Sequence, residues 1–256
     1  MIKAIFFDVD GTLVSHTKRN VPDDARVALK KLSEKGIQRV LATGRHMLEL
    51  AALPVHDLTF GAYVTLNGQL CLDAQGNVLA ENPISGADKE HLIKLFYGCS
   101  IPIVLVEKDR LYINFINRYV EIAQHAVSSP LPEIGTYTGN EIYLAVAYIP
   151  KEDEKLLSEQ LPGCIATRWN DYAVDIVSDT GGKVSGIKEY LKQTGIRQEE
   201  TMAFGDGEND MGMLEFVHIG VAMGNAETCV KEIADHVTSS VDEGGIMNAL
   251  ISFDLI

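Results

Sequence analysis

The sequence predicts an α/β protein: a doubly wound, Rossmann-like parallel sheet with an α+β domain inserted into it. Three observations predict it. Residues 1–82 and 180–256 alternate short apolar runs with amphipathic helical stretches across brief joints, as βαβ units do. Residues 83–179 break that rhythm with pairs of strands between helices, the pattern of an antiparallel sheet covered on one face. At 256 residues and 46% hydrophobic content, the chain is long enough for two cores.

The first strand is read from Ile5-Phe6-Phe7, and it runs out into Asp8-Val9-Asp10-Gly11-Thr12. Val21-Pro22-Asp23-Asp24 starts a helix, with proline in the first turn and acids to complement the dipole. Ala25, Leu29 and Leu32 line its apolar face and Gly36 ends it. Ile37 to Ala42 is a second strand closing in Thr43-Gly44-Arg45, and Met47 to Leu53 reads as helical. Tyr63 to Leu66 is a third, followed by the turn signal Asn67-Gly68 and a hairpin of Leu70 to Leu72 with Val78 to Ala80.

The inserted domain reads as helix (Ala87 to Tyr97), two strands (Ile101 to Glu107, Arg110 to Ile116) and helix (Arg118 to Val127). Strand (Glu141 to Tyr148), helix (Lys151 to Gln160) and two strands (Ile165 to Arg168, Tyr172 to Val177) follow. From Lys183 the βαβ rhythm returns: a helix, the strand Thr201 to Phe204, and the loop Gly205-Asp206-Gly207-Glu208-Asn209-Asp210. A helix to Phe216, a strand to Ala222, a helix from Ala226, a short strand near His236 and a helix from Glu243 to Ile251 complete the chain.

Composition excludes several functions. A net charge of −14 argues against a DNA- or RNA-binding surface, which needs clustered Lys and Arg. A small phosphorylated ligand needs only one local positive site and stays open. Cys71, Cys99, Cys164 and Cys229 show no CxxC pairing and read as reduced, mostly buried thiols. No signal peptide or membrane span is evident, so a soluble cytoplasmic protein without a membrane partner is expected. Oligomeric state is left open.

Four stations fall at the edges of predicted core strands, where open α/β sheets bind ligands. Asp8 and Asp10, two apart on an extended backbone, point the same way and repel unless a cation lies between them, Mg2+ by its preference for oxygen. Thr43-Gly44 offers a hydroxyl and amides to an anion. Lys183, after Gly181-Gly182, can neutralise a phosphate oxygen. Asp206 and Asp210 flank Asn209 on the fourth loop. Each station has a plainer reading: a solvated turn at Asp8 and Asp10, helix caps at Thr43, Asn209 and Asp210, and a solvated Lys183. Glu208 reads as solvated. Together they compose a metal-plus-phosphate site, in which Asp8 can attack phosphorus and Asp10 can protonate the leaving oxygen and then activate water.

Asp8-Val9-Asp10-Gly11-Thr12, Thr43-Gly44-Arg45, Lys183 and Gly205 to Asp210 resemble, in order, the four motifs of the haloacid dehalogenase superfamily of phosphohydrolases. Thr65-Leu66-Asn67-Gly68, Val221-Ala222-Met223-Gly224-Asn225-Ala226, and the tail from Ala234-Asp235-His236 to Gly245 resemble its Cof-type branch, and the insertion resembles that branch's large cap. The resemblance implies Asp8 as nucleophile and metal ligand, with Asp10 as acid/base that also meets the metal through its carbonyl. It implies Asp206 in the metal shell with Asp210 behind it, and Thr43, Gly44, Lys183 and Asn209 on the phosphoryl group. His46, where the family often has proline, and Val184, where glycine is common, depart from the pattern. The expected activity is Mg2+-dependent hydrolysis of a small phosphomonoester, a sugar phosphate or cofactor phosphate. The alternatives are a phosphosugar mutase and a silent phosphate-binding protein. Asn140-Glu141 and Trp169-Asn170-Asp171 are the cap's substrate-contact candidates, with plain packing the other reading of Trp169, Tyr112, Tyr143 and Tyr148.

Overall fold

Ile5, Phe6 and Phe7 are wholly buried and form the hub strand of a large sheet. The computed structural model describes residues 1–127 and 129–256. The chain divides into two units, Met1–Ala80 with Gly182–Ile256, and Glu81–Gly181. In chain order, the first part contains β1 (Ala4–Phe7), α1 (Asp23–Glu34), β2 (Gln38–Ala42), α2 (Met47–Leu50), β3 (Ala62–Thr65), β4 (Leu70–Asp73) and β5 (Val78–Glu81). The inserted unit contributes α3 (Gly86–Gly98), β6 (Ile103–Val106), β7 (Leu111–Ile113), α4 (Arg118–Ala126), β8 (Leu144–Ala147), α5 (Glu154–Gln160), β9 (Cys164–Asn170) and β10 (Ala173–Ser178). The return brings α6 (Lys183–Thr194), β11 (Thr201–Gly205), α7 (Met211–Phe216), β12 (Ile219–Ala222), α8 (Thr228–Ile233), β13 (His236–Val237) and α9 (Gly245–Ser252).

The large sheet runs β13-β12-β11-β1-β2-β3-β4-β5. Neighbours from β13 to β3 pair parallel, and β4 turns antiparallel to β3. Alternate side chains of β1 serve opposite faces, as strand geometry requires. Ile5 and Phe7 pack with α1 and α9 through Leu29, Leu32, Ile246 and Leu250. Ala4 and Phe6 pack with α6 to α8 through Ile187, Tyr190, Met213 and Val230. Phe7 stacks on Phe204 at 5.3 Å, and Phe6 meets Tyr190 edge-on at 5.8 Å. Both faces are covered by helices, which is why these strands read as continuous apolar runs.

In the inserted unit the order is β7-β6-β8-β10-β9, with every neighbouring pair antiparallel. Leu92 and Phe96 of α3, Leu157 of α5 and Leu161 just beyond it pack with Ile103, Leu105, Ala145, Val174 and Ile176 of the sheet. No helix among the described residues is long and apolar enough to cross a membrane.

Some elements differ from expectation. α2 stops at Leu50 rather than Leu53, because the Ala52 and Leu53 amides donate three residues back, to the Glu49 and Leu50 carbonyls, and tighten the chain into a turn ahead of Pro54. β7 ends at Ile113, where the Asn114 side chain accepts from the Ile103 amide at 2.8 Å. Residues Lys151–Asp153 form a 3-10 turn ahead of α5. Of the four cysteines, all free, only Cys71 is buried. Cys99 is exposed at the left-handed end of α3, and Cys164 and Cys229 are half-buried.

Candidate active site

Because β11, β1 and β2 are parallel neighbours in register, their carboxyl ends open side by side. Asp206 follows β11, Asp8 follows β1 and Thr43 follows β2. Asp8 prolongs the ladder, its amide donating to the Phe204 carbonyl at 3.1 Å. Carboxylate oxygens of Asp8, Asp206 and Asp210 all lie within 4.8 Å of one another.

Lys183 is not solvated. It is 3% exposed, and its Nζ donates to Asp8 Oδ1 and to Asp210 Oδ1 at 2.6 Å each. Burial alone would favour its neutral form, but the charges of Asp210 and Asp8 outweigh that and raise its pKa. Nor does Asp210 cap α7. Its Oδ2 accepts from the amides of Asp206 and Gly207 at 3.0 Å, folding the loop around a buried carboxylate.

One lysine does not balance three acids. Asp8 is pushed up to about 8 by burial first and then by Asp210, with Lys183 pulling it back. Asp206 is pushed up to about 6 by burial, against which the Thr12 hydroxyl works, with Asp210 adding repulsion. That excess of converging oxygen donors fits a hard divalent cation. Asp8, Asp206 and Asp210 are the carboxylates that could hold it, although both Asp210 oxygens are already taken, by Lys183 and by two loop amides.

Asp206 is fixed from two sides. Thr12 Oγ1 donates to its Oδ1 at 2.9 Å, and Asn225 Nδ2 reaches its Oδ2 at 3.2 Å and the Gly11 carbonyl at 2.8 Å. Gly11 has φ +83°, and a Cβ there would lie 2.0 Å from Asp206 Oδ2. Only glycine leaves that carboxylate in place.

Asp10 points its side chain at Arg45, which forks onto both oxygens at 2.9 and 3.1 Å. Thr43 is buried, and its Oγ1 accepts from the Arg45 amide at 3.1 Å. It does not cap the following helix. His46 does, its Nδ1 accepting from the Leu48 amide at 3.1 Å while Glu49 Oε2 accepts from the His46 amide at 2.8 Å. The departure from proline at position 46 is thus a helix cap. Gly44 and Asn209 both meet the side chain of Asn67: Asn209 Nδ2 donates to Asn67 Oδ1 at 3.2 Å, and a Cβ on Gly44 would lie 3.1 Å from that oxygen. Asn209 and Glu208 are exposed.

Arg45, Asn67 and Asn225 stood in flagged motifs without a role. Only the folded backbone brings Asn225 to Asp206 and Asn67 to Gly44 and Asn209. In the inserted unit, Glu107 accepts from the hydroxyls of Tyr112 and Thr138 at 2.5 Å and from Asn140 Nδ2 at 3.0 Å. Glu141 pairs with Lys89 at 2.7 Å. Trp169 is 38% exposed, its indole N–H donating to Asp175 Oδ1 at 2.8 Å. Tyr112, Tyr143 and Tyr148 are buried, as packing residues are.

A family model described as haloacid dehalogenase-like hydrolase matches residues 5–250. YkrA of Bacillus subtilis (strain 168), which bears the provisional name of phosphatase, is 32% identical over 257 residues, 99% of this chain and 98% of its own. BT1666 from Bacteroides thetaiotaomicron, from a structural study of phosphatases of this superfamily, is 32% identical. The match covers 100% of this chain and 96% of that one, at a TM-score of 0.90. BT4131, described as a subclass IIB sugar phosphatase, is also 32% identical, over 99% of this chain and 100% of its own, at a TM-score of 0.84. The motifs at the strand ends, the inserted sheet and these matches agree: the chain belongs to the haloacid dehalogenase-like hydrolases, in their Cof-type branch.

Proposed function

We propose that this hydrolase is a Mg2+-dependent phosphatase of small phosphomonoesters, sugar phosphates or cofactor phosphates, working through an aspartyl-phosphate on Asp8. The observation that carries the reading is the convergence of Asp8, Asp206 and Asp210 about one buried lysine, next to Asp10 on its arginine fork. When bound among these carboxylates, Mg2+ offsets their repulsion, favours the ionised form of Asp8 and neutralises charge on the phosphoryl oxygens.

In the first step an Asp8 oxygen bonds to phosphorus as the ester P–O bond breaks, and the Asp10 carboxyl gives its proton to the departing alcohol. In the second, the Asp10 carboxylate takes a proton from water as that water attacks phosphorus. The P–O bond to Asp8 breaks, releasing inorganic phosphate and restoring the carboxylate. Lys183, the Thr43 hydroxyl, the Gly44 amide and Asn209 hold the phosphoryl oxygens. The inserted unit, residues 81–181, is assigned the choice of substrate. Names of relatives support the substrate class: BT4131 is described as a sugar phosphatase. YcsE of Bacillus subtilis (strain 168), named for a phosphoribitylamino-uracil substrate, is 26% identical over 254 residues.

The test is phosphate release from a panel of sugar and cofactor phosphates, with Mg2+ and with chelator. Mg2+-dependent release is expected. A folded protein that releases phosphate from none of them, or equally well in chelator, overturns the proposal.

A further inference from the structure

Leu66, Asn67 and Gly68 take φ values of +52°, +53° and +88° in succession. A left-handed run is unfavourable for residues with a Cβ, most of all for a branched, fully buried leucine, and such strain persists where the surroundings impose it. Here the surroundings are three of the four stations. The Asn67 amide donates to the Thr43 carbonyl at 3.0 Å, and the Leu66 amide to the Arg45 carbonyl at 3.3 Å. A Cβ on Gly68 would lie 2.0 Å from the Gly182 carbonyl oxygen and 2.9 Å from the Lys183 nitrogen, so this glycine lies against the start of α6. The loop is wedged between the segments that carry Thr43 and Lys183.

The left-handed turn presents the Asn67 carboxamide to Gly44 on one side and Asn209 on the other. Its Oδ1 is taken by Asn209, and its Nδ2 makes no hydrogen bond among the described residues. A half-buried donor amide of that kind, between two groups assigned to the phosphoryl pocket, suits an anionic oxygen. We propose that the Asn67 carboxamide is a phosphoryl-binding group, donating an Nδ2 hydrogen to an oxygen of the phosphoryl group that Thr43 and Lys183 hold. The proposal rests on the phosphatase reading above and adds to it a residue outside the four motifs.

Asn67→Gly separates side chain from backbone, since glycine accepts the left-handed conformation and removes only the carboxamide. Asn67→Asp keeps shape and turn preference but sets a negative charge against the phosphoryl oxygens. Binding of inorganic phosphate in the presence of Mg2+, followed by calorimetry, is the readout, alongside kcat/KM on the best substrate. Phosphate affinity and kcat/KM are expected to fall roughly tenfold to a hundredfold in Asn67→Gly, and further in Asn67→Asp. Melting temperature should stay within about 2 °C for both. Wild-type phosphate affinity in either folded variant overturns the assignment of Asn67 while leaving the phosphatase reading in place. A wild-type protein that neither turns over phosphomonoesters nor binds phosphate overturns both.

Discussion

Arg45 holds Asp10 as a fork: Nε to Oδ2 at 2.9 Å and Nη2 to Oδ1 at 3.1 Å. The remaining arm, Nη1, reaches Glu49 Oε1 at 3.3 Å, and the other Glu49 oxygen accepts from the His46 amide. The direction in which Asp10 points is therefore tied to the first turn of α2. Arg45→Lys keeps the charge but loses the planar two-point grip. Its kcat is expected to fall roughly tenfold to a hundredfold with KM changed less, because the proton donor is misplaced rather than the substrate. Steady-state kinetics on one phosphomonoester checks this, and an unchanged kcat refutes it.

Asp8→Asn is expected to abolish turnover. It also removes one of three crowded carboxylates, so in chelator its melting temperature should equal or exceed that of the wild type. Normal turnover would end the covalent reading, and a marked loss of stability would mean that the Asp8 to Lys183 ion pair outweighs the repulsion around it.

Millimolar Mg2+ should raise the melting temperature of the wild type. At a concentration one hundred times the dissociation constant, linkage gives about 2.7 kcal/mol. Asp206→Asn should lose most of that shift. Gly11→Ala drives a methyl into the space of Asp206 Oδ2 and should raise the Mg2+ concentration for half-maximal activity by roughly tenfold. Thermal denaturation against a Mg2+ series tests the first variant, and activity against the same series tests the second.

Glu200 gives a pH dependence remote from that chemistry. Its carboxyl is held down to about 2, against an ordinary 4.5, by Lys3 first and then by the side chain and amide of Arg197. A depressed carboxylate stabilises the fold above its unfolded pKa and loses that contribution as pH falls through the folded one. The stability gap between wild type and Glu200→Gln should be full at pH 7 and close between about 4.5 and about 2. Because the Lys3 ammonium is largely exposed, salt should narrow the gap at any pH. Denaturant titrations across that range decide it.

The stations were legible because each is local: an apolar strand that stops at an acid, a hydroxyl or a glycine. Those signals survive without knowing what packs where. The burial of Lys183 was not local, since a lysine opening a helix is ordinarily wet, and it takes Asp8 after β1, Asp210 after β11 and the Gly68 loop to meet it in the folded chain. His46 looked like a departure because sequence compares it with proline. Its ring accepts the Leu48 amide, which a proline side chain has no atom to do. Asn67 read as an ordinary turn residue. Its second meaning comes from three successive left-handed residues and the contact with Asn209, 142 positions along the chain.

Thr180 donates its hydroxyl to the Asn82 side-chain oxygen at 3.1 Å across 98 positions of sequence. The inserted unit thus begins and ends at one spot, and to the rest of the chain it costs little more closure entropy than a tight loop does. Such an arrangement is a socket. A lineage can exchange what is plugged in between residues 82 and 180 for a larger, smaller or differently shaped module without disturbing the register of the strands on either side. An engineer can do the same by cutting at those two residues.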